Sequence, residues 1–329
     1  MEHLQFKNNT TKKNYIKNAL RLKRKAFIES TDINKSVAEK GYFTEIDNNK
    51  QKVLPTLYTA GWALKYWSNN YKKNTWRQYR ASLIFYAELE LKNKKIDIQE
   101  YEKIKKIMKS TSGGNKKELP IRTSAQKKKN INEKDFKIID KALNESNNRW
   151  SNATRIWLRS GILTGLRPIE WQKAEIKDNK YLIVYNAKNT NGRAHGETRT
   201  LSLEHLNKNE LQIIKEQIKT SQKFYKNNLW KNYYIGCSNI LRYTSRKVFK
   251  YRKKYPTLYT GRHQYSADLK AIGCTSSEIA ALMGHSSDLT NQIHYGKRRY
   301  GNTKVKPNIN KNDLKNVKVK IKKSTFKFQ

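Results

Sequence analysis

Between residues 55 and 110 apolar side chains recur at helical spacing. Trp62, Tyr66 and Trp67 share one helix, and Trp76, Tyr79, Leu83 and Tyr86 follow at intervals of three, four and three on a second. Arg77 and Arg80 project away from that second stripe, giving the helix an apolar side and a cationic side. Apolar stripes of this kind are ordinarily core. Residues 1–54 are basic and polar; KKNYIKNALRLKRKAF predicts a cationic helix, and no strong fold signal follows it. Residues 110–130, STSGGNKKELPIRTSAQKKKN, combine a Gly pair, a Pro and scattered Lys, which is linker chemistry and predicts a domain boundary.

Beyond the linker, INEKDFKIIDKAL and ATRIWLRSGILTG carry helical spacing. YLIVYNAK (181–188) and ETRTLSL (197–203) are rich in β-formers and predict a hairpin across the polar loop NTNGRAHG. In GRHQYSADLKAIGCTSSEIAALMGHSS (261–287), one helix ends at Gly273. A second opens with the capping box Thr275-x-x-Glu278 and stops at Gly284. The last 29 residues hold nine lysines and one acid, Asp313, which predicts a solvated tail that gains order only on a partner. No internal repeat is present. The pattern predicts a mainly α fold with a small antiparallel β-sheet. Its segments are a basic N-terminal arm (1–54), a helical domain (55–112), a linker (113–130), a larger domain (131–300) and a basic C-terminal tail (301–329).

Charge sharpens the picture. Across 329 residues, 70 Lys and Arg oppose 27 Asp and Glu, a net +43 that would self-repel without a polyanion. Nucleic acid is the partner this implies. The length allows two domains, and 20 Tyr with 7 Trp supply core-forming bulk despite a hydrophobic fraction of 36%. No run of about 18 apolar residues offers a membrane span, and the opening MEHLQFKNNTTKK lacks the apolar stretch of a secretion signal. Cys237 and Cys274 form no C-x-x-C pair, so a reducing, cytoplasmic setting on DNA is expected.

Several polar residues fall at informative places. Arg167 follows Gly165 in TGLRPIEW, with Glu170 three residues on, able to pair with or orient it. Lys188 closes the first hairpin strand, Arg262 begins a helix, and His285 follows a helix stop. The stretch HSSDLTNQIHYGKRR then sets Tyr295 beside Lys297, Arg298 and Arg299. A free phenol ionises near pH 10, about three units above neutrality, so a tyrosine nucleophile needs cations nearby. Arg167, Arg262, Lys297, Arg298 and Arg299 are the candidates.

Taken in order, Arg167 in TGLRPIE, Lys188 in the hairpin, Arg262 in YTGRHQYSADL, GHSS at 284–287 and Tyr295 resemble the tyrosine recombinase (phage integrase) family. The resemblance covers about residues 130–300, and KNTWRQYRASLIFY extends it to that family's helical, SAM-like core-binding domain. It implies that Arg167 and Arg262 clamp the scissile phosphate, Lys188 protonates the leaving 5′ oxygen, and His285 donates a hydrogen bond to the phosphate. Tyr295 would then attack to give a 3′ phosphotyrosine, without metal, ATP or other cofactor. It further implies a two-domain clamp on double-stranded DNA carrying a specific recombination site, and a homotetramer synapsing two duplexes for a mobile element of prokaryotic or viral origin. Accessory DNA-bending or directionality proteins complete the implied partners; a membrane is not among them.

Two positions depart from the family's pattern. Tyr259 stands where the family usually has a histidine three residues before the second arginine, which leaves the general base unassigned; neighbouring His263 is expected to buttress the site. His294 occupies the usual nucleophile position, so Tyr295 lies one residue further on, with Tyr300 as a fallback. Rival readings are a non-catalytic helix-turn-helix protein whose second helix reads a DNA groove, and type IB topoisomerase-like strand relaxation. A metal site built from His263, Cys274, His285 and His294 has no recognised ligand spacing, and no carboxylates group as a two-metal nuclease requires.

Overall fold

Two units make up the chain in a computed structural model, Met1–Pro120 and Ile121–Gln329. The structure describes residues 9–33, 45–47, 51–113, 127–187, 189, 194–290, 295, 297–302 and 305–320.

In the first unit, α1 (Asn9–Ile33) precedes a two-residue antiparallel pair, β1 (Glu45–Ile46) and β2 (Lys52–Val53). Then come α2 (Thr56–Trp62), which runs on into a wider π-helical turn (Ala63–Trp67), α3 (Lys73–Lys92) and α4 (Ile98–Lys109). The predicted stripe of α3 is core: Trp76 and Leu83 are fully buried, Tyr79 is nearly so, while Arg77 is exposed and Arg80 half-buried. Helix α1 corrects the expected N-terminal arm. Its Ala19, Leu22 and Ala26 lie buried in the same core as Trp67, Trp76 and Ile104, so residues 9–33 belong to the helical unit. Between them, buried Lys23 pairs with Glu45 (2.5 Å) and Glu90 (3.2 Å). Glu29 of α1 accepts hydrogen bonds from the indoles of Trp62 (3.0 Å) and Trp67 (2.7 Å), which ties α1 to the aromatic turn.

The second unit opens with α5 (Glu133–Asn144) and α6 (Ser151–Thr164), which ends on left-handed Gly165. A 3-10 turn (Pro168–Gln172) leads into the sheet of β3 (Glu175–Lys177), β4 (Tyr181–Tyr185) and β5 (Thr198–Ser202). Both pairings are antiparallel, with Leu182 opposite Leu201 and Val184 opposite Arg199. The predicted hairpin is β4–β5; β3, three residues long, is too short to announce itself by alternation. Helices α7 (Lys208–Lys226), α8 (Trp230–Val248), α9 (Thr260–Ala271) and α10 (Ser276–Met283) follow, then a 3-10 turn (Arg298–Tyr300) and α11 (Lys311–Lys315). Trp157 and Phe224 each stack on Tyr233 at the centre of this core. Helices α6 and α9 touch through glycines. A Cβ on Gly261 would fall 2.8 Å from the carbonyl carbon of Gly161, so Arg262, the next residue, enters the interior where the two helix backbones nearly touch.

The C-terminal residues correct another expectation. Ile309 bridges to Leu201, Asp313 accepts from the Thr200 amide (2.8 Å), and Val317 packs on Ala280 and Ala281. The described part of the tail is thus folded onto its own unit, held by Ile309, Leu314, Val317 and Asp313 interspersed among the lysines. No helix among the described residues is long and apolar enough to cross a membrane.

Candidate active site

Four chain segments deliver the predicted residues. Gly165, at φ +65°, reverses the chain after α6, and Pro168 starts the next turn, so Arg167 sits in an extended link between them. Helix α9 presents Arg262 from its first turn. Helix α10 is capped by Thr275 and Glu278 as predicted and ends on left-handed Gly284, which places His285 just past its last turn. The fourth segment carries Tyr295.

Arg262 is fully buried and engages four partners: Nη1 donates to Gly165 O (2.6 Å), Nη2 to Met283 O (2.6 Å) and His285 Nε2 (3.0 Å), and Nε to the Tyr295 hydroxyl (3.3 Å). The Tyr295 oxygen also lies 3.0 Å from the Tyr259 hydroxyl. Burial opposes ionisation of Tyr295, but the Arg262 charge and the donors from Tyr259 and Arg262 outweigh it, bringing the phenol down to about 8. Tyr259 moves the opposite way, raised by burial and by Tyr295, so it is the neutral donor of the pair. Burial disfavours a charged Arg262 as well, yet Tyr295, Tyr259 and Glu170 more than compensate and hold it firmly protonated.

His285 is held neutral, by burial first and then by Arg262, Arg167 and Arg199. With Nε2 accepting from Arg262, the ring proton belongs on Nδ1. Among the described residues that buried nitrogen has no hydrogen-bond partner, nor has Arg167 Nε. A buried donor left unpaired costs about 1–3 kcal/mol, so two of them at one cationic site mark places for acceptor atoms of a ligand. His263 packs against both Tyr259 (5.3 Å between ring centroids) and Tyr295 (5.1 Å). Burial, Lys129 and Arg262 bring it down to about 4, which suits a buttress and not a proton store.

Glu170 organises the cations. Its Oε1 accepts from Arg167 Nη1 (2.6 Å), its Oε2 from the Arg167 amide (2.8 Å) and from Arg199 Nη2 (2.7 Å), and Arg262 Nη1 lies 3.9 Å away. Despite near-complete burial, the charges of Arg199, Arg167 and Arg262 keep its carboxyl far below the usual range. Three buried guanidinium groups thus face one carboxylate, an excess of two positive charges. The end of α10 contributes a further anchor. Ala281 O accepts from His195 Nε2 (3.0 Å), Leu282 O from Arg199 Nε (3.0 Å) and Met283 O from Arg262 Nη2. Three consecutive carbonyls at the negative end of a helix each hold a buried nitrogen donor.

Arg167, Glu170, Arg262, His285, Tyr295, Tyr259 and His263 are therefore joined by contacts or by charge. Lys188 and His294 lie outside the described residues. Lys297, Arg298 and Arg299 are exposed, with Arg299 over the Tyr300 ring; the field on Tyr295 comes instead from Arg262 and Arg167. Tyr300 is exposed and does not join the cluster. Sequence reading overlooked Arg199, Asn186 and His195. A signal for Arg199 existed: at strand period it shares the face of Leu201 and Leu203, and a charge on the apolar face of a strand requires a partner. Among the described residues no group of three or more His, Cys, Asp or Glu could hold a metal ion.

Chemically, the arrangement offers an acidified phenol, a locked guanidinium, two unpaired donors and surplus positive charge. No protein-family model and no curated protein sequence matches the chain. Its fold is similar to that of a lambda integrase dimer bound to a COC′ core site, at 15% identity and a TM-score of 0.47 over 92% of this chain and 94% of that one. It is also similar to the Tn1549 transposon integrase in complex with a circular intermediate DNA, at 13% identity and 0.44 over 80% and 93%. A third similar structure is the XerH site-specific recombinase bound to a palindromic difH substrate in a post-cleavage complex, at 15% identity and 0.44 over 83% and 74%.

Proposed function

We propose that this chain is a site-specific DNA recombinase that cuts and rejoins duplex DNA through a 3′ phosphotyrosine on Tyr295. The observation that carries the reading is the Tyr295 oxygen held by Arg262 Nε and Tyr259 beside buried, unpaired donors on Arg167 and His285. The phenol oxygen attacks phosphorus, and the phosphate displaces it from Arg262. Arg167 Nε and His285 Nδ1 then donate to the non-bridging oxygens. The pentacoordinate phosphorane carries two negative charges, matching the surplus of the cation cluster, and burial of the three guanidinium groups makes that match effective. Lys188 would protonate the departing 5′ oxygen. Because Tyr259 is a donor, the Tyr295 proton leaves to solvent and not to a neighbouring base.

A groove of about 460 Å³ lined by Lys127, Tyr234, Asn239, Arg242, Arg246 and Tyr255 opens beside Tyr259, and its mix of cations, amide and aromatic edges suits a nucleic-acid backbone. The groove-reading helix-turn-helix alternative loses its footing, since no residue of α10 is exposed and Ile279–Met283 are buried. By the sequence resemblance, four protomers would synapse two duplexes on behalf of a mobile element, with accessory DNA-bending or directionality proteins as further partners.

The test uses a pool of duplexes with randomised cores and a 5′-bridging sulfur at one phosphodiester, which traps the covalent adduct because the thiolate religates poorly. A denaturation-resistant adduct is expected with wild type and none with Tyr295→Phe, while both bind the pool alike. An adduct surviving in Tyr295→Phe, or none with wild type, overturns the reading. Relaxation of supercoiled plasmid without recombinant product would turn it towards a topoisomerase.

A further inference from the structure

We propose that Arg199 is a positioning residue that fixes the root of the hairpin loop carrying Lys188, so that the leaving-group proton is delivered in register with the phosphate clamp. This rests on the strand-cleavage reading above.

Arg199 is the second residue of β5, fully buried, and its three nitrogens reach three different segments. Nε holds the end of α10 through Leu282 O, Nη2 holds Glu170, and Nη1 is shared between Glu170 (3.3 Å) and Asn186 Oδ1 (2.5 Å). Asn186 closes the hairpin loop from the other side, with Nδ2 donating to Gly196 O (2.9 Å) and its amide to Glu197 O (2.8 Å). The residue before Lys188 is tied to the same carboxylate, since the Ala187 amide donates to Glu170 Oε1 (3.3 Å). The residue after it closes a turn, with the Asn189 amide donating to Asn186 O (3.2 Å). Ala187 through its amide and Asn186 through its side chain are thus held by the Glu170–Arg199 pair, Asn189 is tied in turn to Asn186, and Glu170 also orients Arg167.

Packing alone does not call for an arginine here. A buried ion pair is often replaced by apolar residues of similar volume without loss of stability, and the neighbouring face residues Leu201 and Leu203 show that the strand accepts such side chains. What an apolar residue lacks is a planar fork that fixes three segments at defined angles. Gly284 makes room for that fork: a Cβ there would fall 2.2 Å from Asn186 Oδ1 and 2.7 Å from Arg199 Nη1.

In the cleavage step the Tyr295 oxygen bonds to phosphorus, the bond from phosphorus to the 5′ oxygen breaks, and that oxygen takes a proton from Lys188 Nζ. A sulfur in the 5′ position leaves as a thiolate and needs no proton, because a thiol ionises at about pH 8.5. The proposal therefore separates proton delivery from phosphate clamping.

The experiment compares wild type, Arg199→Lys, Arg199→Met and Lys188→Ala on the duplex recovered from the trapped adduct, made with oxygen or sulfur at the leaving position. Expected on oxygen is a loss of about 100-fold for all three variants, the range of general-acid contributions. On sulfur all three are expected to cleave like wild type. Amide exchange of the unliganded full-length protein is the second arm: Ala187 should exchange faster in Arg199→Lys while α6 and α9 keep wild-type protection. Equal losses on oxygen and sulfur would overturn the proposal, since Arg199 would then act on the clamp as a whole. Unchanged Ala187 exchange would overturn it as well. Absence of any wild-type adduct would remove the cleavage reading itself, a result distinguishable from either.

Discussion

Replacing Tyr259 by phenylalanine isolates the hydrogen bond that acidifies the nucleophile. In the structure Tyr295 is brought to about 8 by the Arg262 charge, the 3.0 Å contact with Tyr259 and the Arg262 Nε donor, acting against burial. A donor to a charged oxygen is worth about 1 kcal/mol more than one to a neutral oxygen, and one pKa unit is about 1.4 kcal/mol. Tyr259→Phe should therefore raise Tyr295 by about one unit, to roughly 9. An acid with a depressed pKa is ionised above that value, so cleavage should climb with pH through about 8 in wild type and level off beyond it. The variant's profile should be displaced upward, with a deficit of about tenfold at pH 7 that closes by about pH 10. Single-turnover adduct formation across this range reads the shift, and tyrosine ring ¹³C resonances, assigned by difference with Tyr295→Phe, read it without DNA. Superimposable wild-type and Tyr259→Phe profiles would refute the assignment of Tyr259 as donor. A deficit constant at every pH would refute it too, since that pattern points to misplacement of Tyr295.

Gly284→Ala should lower stability by about 1–3 kcal/mol, because φ is +63° and the new Cβ meets Asn186 and Arg199; urea denaturation measures it. Lys23→Met strands buried Glu90 and should cost about 3–5 kcal/mol, whereas Lys23→Met with Glu90→Leu should recover most of it in the same assay. If Arg77 and Arg80 contact phosphates, each change to alanine should reduce the slope of log affinity against log salt by about 1, and an unchanged slope would place them off the DNA. Val317→Asp puts a charge against Ala280 and Ala281 and should release the C-terminal segment, seen as faster proteolysis between residues 301 and 320.

What could be read in the sequence was local. The α3 stripe, the glycine stops at 165 and 284 and the Thr275 capping box each depend on a few neighbouring residues, and each is found where the spacing puts it. Arg167, Arg262, His285 and Tyr295 were singled out by short motifs in a fixed order. The contact of Tyr259 with Tyr295 spans 36 residues, and no periodicity reports such a distance. Helix α1 and the C-terminal segment were obscured for a different reason. Their packed positions are few, small or widely spaced (buried Ala19, Leu22 and Ala26; half-buried Ile309 and Leu314 with buried Val317), and the lysines between them dominate any average over a window. Arg199 was passed over because Thr-Arg-Thr looks like polar strand until Leu201 and Leu203 fix which face is inward.

The last turn of α10 has a consequence for how this protein can change over generations. Its three acceptors are carbonyls of Ala281, Leu282 and Met283, which exist whatever side chains stand there. Drift among apolar residues of similar volume at these positions leaves the anchoring of His195, Arg199 and Arg262 intact. A single inserted or deleted residue in the turn does the reverse, shifting every acceptor by one place and rotating it by about 100°. Lineages descending from this chain should therefore exchange apolar residues of similar volume at 281–283 and hardly vary at all in the length of that turn.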